Sequence, residues 1–140
     1  MKMRCDCGHV ISDTTDSLPY KCDLLPDDGY WENIHEPIVR GVLDFASAIA
    51  SGHRDEWLRR YFGAGYPRDL DDESVISDFI AARISLVPTV YQCTNCGMIL
   101  IPKRSGDGYA AFCPVDDDWK NILSWRPRKT EPILERNDLG

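Results

Sequence analysis

The chain has 140 residues, long enough for one domain to bury its own core without disulfide staples. Its hydrophobic fraction of 43% and charged fraction of 28% are those of an ordinary water-soluble fold. No apolar run approaches the ~18 residues of a membrane span, and a net charge of −7 argues against a surface that tracks phosphates.

The N-terminal phrase "RCDCGHVI" carries two cysteines one residue apart, followed by Gly8, and reads as a short strand or turn. No apolar stretch of the signal-peptide kind precedes it, so the expected location is cytoplasmic. Reduced thiols and a metal then suit the six cysteines better than a disulfide framework. From Ser12 to Trp31, Pro19, Pro26 and the Asp27-Asp28-Gly29 cluster interrupt any period. An irregular surface segment is expected there, pinned by Leu18, Tyr20, Leu24, Leu25, Tyr30 and Trp31.

Three helices are predicted next, as an insertion over about residues 35–87. In the first, Ile38, Val42, Phe45 and Ile49 recur at helical spacing, with Pro37 in the opening turn and Gly52 at the stop. The second carries Trp57, Leu58, Tyr61 and Phe62 on one face and ends at Gly63. Asp71 caps the third, acidic residues at 72 and 73 suit its positive end, and Val75, Ile76, Phe79 and Ile80 face inward until Pro88 stops it. Beyond Pro88 the period turns strand-like: "TVYQC", "MILIP" and "YAAFC" read as strands, with "KRSGDG" a turn between the last two. "DDDWKNIL" reads as one more helical turn, and the tail from about 126 to 140 as extended.

The phrase "QCTNCGMIL" repeats the first one, with Gly97 after Cys96 as Gly8 follows Cys7. Two thiolates on a tight turn, with a glycine free to adopt positive φ, form half of a tetrahedral metal site, so two such turns complete one. The knuckles lie at 5–8 and 93–97, and "CTNCG" and "CDCG" resemble those of the zinc-ribbon family and its rubredoxin-like relatives, including small bacterial proteins of unassigned role. The resemblance covers about a third of the chain. It implies one structural Zn²⁺ held by Cys5, Cys7, Cys93 and Cys96. A second arrangement places Cys5, Cys7, His9 and Cys22 on one ion and Cys93, Cys96 and Cys113, with an outside ligand, on another. Four thiolates close the coordination shell, whereas a catalytic zinc keeps an open position. The ribbon pattern has a short hairpin where this chain has its helices.

The histidines show no zinc-protease spacing, "GAGYPRD" lacks the lysine and hydroxyl of a phosphate loop, and no serine sits in a nucleophile elbow. The expected fold is therefore α+β, a single domain over 1–140 in which about three helices are inserted into a small zinc-knuckle β unit. The expected function is non-catalytic: binding a protein partner, in the specific form of an immunity or antitoxin-like protein neutralising a basic toxin or nuclease. The candidate partner surface comprises Asp27, Asp28, Tyr30, Trp31, Asp71 and Asp72. The alternative is a nucleic-acid- or transcription-associated zinc ribbon, for which the local basic cluster is Arg126, Arg128 and Lys129, beside Trp125.

Overall fold

A computed structural model describes residues 1–126. The fold is α+β, with three helices and two antiparallel sheets, in the class expected from the sequence. The described chain forms two compact units, one of residues 1–22 with the segment after Pro88, the other of residues 23–88.

The first unit is β-rich. Strands β1 (Lys2–Arg4) and β2 (Val10–Ser12) pair antiparallel, Met3 opposite Ile11. The larger sheet has the order β3-β4-β5-β6, from Lys21–Asp23, Thr89–Gln92, Ile99–Pro102 and Tyr109–Phe112. The last three are the strands anticipated after Pro88, and Lys103 N–H donates to the Gly108 carbonyl to close the turn between β5 and β6. Strand β3 corrects the expectation of an irregular segment: among the described residues it pairs with β4 alone, far away in sequence, so no local period announces it. Gln92 N–H donates to the Tyr20 carbonyl, so β3 and β4 form a hairpin whose turn has been replaced by the helical insertion. The core of this unit gathers Cys5, Ile11, Tyr91, Cys93 and Leu100. Its two sheets are tied through Asp13, which accepts from the Tyr91 hydroxyl at 2.6 Å and from Lys21 Nζ at 2.9 Å. These two donors, the tyrosine first, hold the Asp13 carboxyl below its ordinary pKa.

The second unit is helical: α1 (Glu36–Ala50), α2 (Arg54–Phe62) and α3 (Asp72–Ile84), with a π-helical turn at Trp31–His35 leading into α1. Leu24 N–H donates to the Pro88 carbonyl at 2.8 Å, tying the two ends of the insertion together. Helix α1 stops in a Schellman arrangement: Gly52 has φ +77° and donates to the Ile49 carbonyl, and His53 N–H donates to that of Ala48. Asp71 caps α3, accepting from Ser74 N–H at 2.8 Å. The core is aromatic, with Phe45, Trp57 and Phe79 around Leu58 and Val75. The Trp57 ring lies 4.6 Å from Phe45 and 5.5 Å from Phe79, centroid to centroid.

Several inward assignments do not hold. Ile49 and Ile80 are exposed, and the buried positions of α1 are Gly41 and Phe45. The reason is Gly41, where a Cβ would lie 2.0 Å from Phe79 Cζ: the missing side chain lets the α3 ring settle on α1 and selects the face that is buried. Leu24, Leu25 and Trp31 are exposed and do not pin their segment, while Leu18, Tyr20 and Tyr30 are half-buried. Helix α3 ends at Ile84, before Pro88 acts, and residues 116–124 form turns rather than a helix. The expected extended tail lies, beyond Arg126, outside the described residues. Among the described residues no helix is long and apolar enough to cross a membrane.

Candidate metal centre

Each cysteine phrase is the turn of an antiparallel hairpin, the first between β1 and β2, the second between β4 and β5. The turns share one hydrogen-bond plan. In the first, Cys5 N–H donates to the His9 carbonyl at 2.9 Å and Gly8 N–H donates to the Cys5 carbonyl at 2.8 Å. In the second, Cys93 N–H donates to Met98 and Gly97 N–H to Cys93, both at 2.8 Å. Each partner lies one residue further along in the second turn, as the extra residue between Cys93 and Cys96 requires. Gly8 and Gly97 have φ of +88° and +77°, the left-handed region that the sequence reading assigned them.

This plan points all four thiols at one place. The Sγ atoms of Cys5, Cys7, Cys93 and Cys96 lie within 4.8 Å of one another. Cys5 to Cys96 and Cys7 to Cys93 are each 3.6 Å apart, nearly twice the ~2.05 Å of a disulfide. Such a group can hold a metal ion, and among the described residues it is the one cluster of three or more His, Cys, Asp or Glu side chains that gathers so. Cys22, in β3, and Cys113, after β6, are not part of it, which removes the two-ion arrangement. His9 is not a member either: its Nε2 lies 3.0 Å from Thr94 Oγ1, a contact joining the two turns.

The four sulfurs occupy unequal surroundings. Cys5 and Cys93 are buried, Cys96 is half-buried, and Cys7 is exposed. Asn95 Nδ2 donates to Cys7 Sγ at 3.5 Å. That bond, with help from the His9 backbone N–H, pulls the Cys7 pKa down to about 6. Burial pushes Cys5 up to about 12. Four sulfurs this close cannot all ionise unless a cation offsets their mutual repulsion, so the donor set fits a thiophilic metal.

Trp119 was missed by sequence reasoning as part of this centre. Its indole covers the second turn, and a Cβ on Gly97 would lie 2.4 Å from Trp119 Cδ2. Its carbonyl accepts from the buried Gln92 side chain at 2.7 Å. A glycine in a knuckle signals positive φ, but nothing local in the sequence signals that an aromatic ring some twenty residues on needs the same space.

The other proposed site residues all lie in the helical unit, in two places. Asp27, Asp28, Tyr30 and Trp31 surround the turn that opens α1, where Asn33 N–H donates to the Gly29 carbonyl. Asp71 and Asp72 stand at the start of α3 with their carboxylates engaged, Asp71 by Ser74 and Asp72 by Arg54 Nε at 2.8 Å. Backbone and side-chain donation from Ser74 lowers the Asp71 pKa. Trp125 is exposed, and Arg128 and Lys129 of the basic cluster lie outside the described residues.

The family described as Domain of unknown function (DUF8617) matches residues 1–128. No curated protein and no solved structure matches the chain.

Proposed function

The chain belongs to the DUF8617 family, and we propose that it is a non-catalytic zinc protein whose helical unit binds a basic protein partner. Zinc suits the cysteine cluster dimensionally. A tetrahedral ion with Zn–S bonds of ~2.3 Å sets its sulfurs about 3.8 Å apart, against 3.6 Å for the two closest pairs here. Cys5, Cys7, Cys93 and Cys96 would hold it, with Asn95 and Thr94–His9 supporting the ligand turns. The ion supplies cross-linking of the two hairpins. Structural zinc of this kind contributes on the order of 10 kcal/mol to folding, and four thiolates leave no open position for substrate or water. The ligands must stay reduced, which agrees with a cytoplasmic setting and with the knuckles' resemblance to zinc ribbons.

The observation that carries the binding role is where the charge sits. Residues 23–88 contain thirteen Asp and Glu against six Arg and no Lys, while the rest of the chain has ten acids and ten bases. The whole net charge of −7 therefore belongs to the helical insertion. A unit with this excess of carboxylates steers a cationic partner and repels nucleic acid. Neutralising a basic toxin or nuclease, as an immunity or antitoxin-like protein does, is the specific form of this role.

The test has two arms. Metal analysis of chelator-free protein should give about one zinc per chain. A partner identified by mass spectrometry should then be reconstituted with the purified chain, and its association rate measured against salt. Reversal of Asp27 and Asp28 to Lys, and separately of Asp71 and Asp72, should lower that rate. An unchanged rate and salt dependence in both variants would refute the binding role. A tight complex with duplex DNA, weakening steeply with salt, would favour the ribbon-type nucleic-acid function instead.

A further inference from the structure

The acidic unit carries one large aromatic group out of place for a folded core. Trp31 is 59% exposed, although Trp is costly to leave in water. It is also not loose. Its ring stacks on His35, with centroids 4.1 Å apart and planes 16° from parallel. His35 Nδ1 is buried with no hydrogen-bond partner among the described residues, so the imidazole is held by packing. Both rings belong to the π-helical turn Trp31–His35, a rare geometry that recurs at functional sites. One face of the indole is thus fixed against a neighbour while the residue as a whole stays open to solvent.

The charges around this platform are unspent. Elsewhere in the unit Glu36, Asp55 and Asp72 pair with arginines, Asp71 caps α3, and Asp44 and Asp78 accept from tyrosine hydroxyls. The carboxylates of Asp27, Asp28 and Glu32 make no hydrogen bond or ion pair among the described residues; those of Glu56, Asp69 and Glu73 make none either, but only the first three stand next to an exposed tryptophan in the chain. They lie within four residues of Trp31, and the exposed Leu24 and Leu25 precede them.

We propose that the turn around Trp31 is the docking surface of this protein, and that its occupant is an arginine-bearing segment of a basic protein. A guanidinium is planar and weakly hydrated, so it stacks on an indole and forks onto carboxylates in one arrangement. Holding the indole in place beforehand removes the ordering cost that a free surface tryptophan would incur on binding. The same carboxylates repel a phosphate backbone. This inference rests on the reading of a basic partner given above, and it divides the two acidic runs: the one at 27–32 contacts the partner, and the one at 69–73, whose Asp71 caps α3, adds only to the field that steers it.

The probe is a fluorescein-labelled Arg-Gly-Arg-Gly-Arg amide, with the Glu-Gly counterpart as control, titrated into the full chain at physiological salt. Amide and indole NMR shifts map the contact, and anisotropy gives the affinity. Shifts should concentrate on the Trp31 indole and on residues 27–35. Trp31→Ala should weaken the arginine peptide roughly fivefold, the worth of a partly exposed cation–π contact. Asp27→Asn with Asp28→Asn should weaken it more than Asp69→Asn with Glu73→Gln, which removes the same charge elsewhere. Folding of each variant is checked from the unchanged resonances of α2 and α3. If the peptide binds but its shifts lie at 69–73 or spread evenly over the unit, the docking surface is wrong and the basic-partner reading survives. If neither the peptide nor any reconstituted basic partner binds, both fail.

Discussion

The two knuckle glycines make a controlled comparison, because they share a backbone conformation and differ in what surrounds them. Gly8 has φ +88° and an added Cβ would meet nothing within 4 Å; Gly97 has φ +77° and its Cβ would meet Trp119 atoms at 2.4, 2.6 and 2.8 Å. Alanine at position 8 therefore incurs only left-handed backbone strain, about 1–2 kcal/mol. Alanine at position 97 adds overpacking against the indole, about 1–3 kcal/mol more. Relief requires Trp119 to move, and its carbonyl is the acceptor for the buried Gln92 amide, so relief in turn exposes that hydrogen bond. Gly97→Ala should thus lose more stability than Gly8→Ala by about 2 kcal/mol, roughly thirtyfold in an opening equilibrium. Hydrogen exchange at the Cys93 and Gly97 amides, both bonded within the turn, reads this locally. In the double variant Gly97→Ala/Trp119→Ala the losses should be less than additive. Equal losses at the two glycines, or full additivity with Trp119→Ala, would refute the packing role assigned to that ring.

Cys96→Ser should release the metal and unfold the β-rich unit, while Cys22→Ser keeps the full stoichiometry; metal analysis after gel filtration separates the two, and metal retention by Cys96→Ser would disprove the ligand set. Gly41→Ala should destabilise the helical unit by about 1–3 kcal/mol, since a Cβ would sit 2.0 Å from the Phe79 ring; Phe79→Leu in the same chain should recover part of the loss in urea unfolding. Asp13 titrates below its ordinary value because Tyr91 and Lys21 donate to it, so its contribution is present above the unfolded carboxylate pKa near ~3.9 and is lost as pH falls through the lower folded value. Asp13→Asn should accordingly lower the melting temperature at neutral pH and flatten its acid limb; an unchanged acid limb would show that this carboxylate does not link the two sheets.

The helices were legible because their signals are local. Pro37, the Gly52 and Gly63 stops and the Asp71 cap act within one turn of chain, and each stands where the sequence put it. The faces of those helices were less legible. Periodicity put Ile38, Val42, Phe45 and Ile49 on one inward face of α1, but Phe79 of another helix packs on Gly41, so the buried positions are Gly41 and Phe45 and Ile49 is left exposed. Strand β3 escaped for a related reason: three residues, two of them polar or charged, become a strand only because β4 lies alongside.

The cysteines divide in the same way. Spacing and the following glycines determined by themselves that each phrase is a metal-type turn, since the hydrogen bonds that shape it close within five residues. Which thiols belong together is a long-range matter. Only the tertiary structure decided that Cys5 and Cys96 meet across the chain at 3.6 Å while Cys22 and Cys113 stay outside, because that depends on how two hairpins pack around Ile11, Tyr91 and Leu100. Charge follows suit: composition set its total, and folding decided which carboxylates are consumed by caps and arginines and which, around Trp31, remain available.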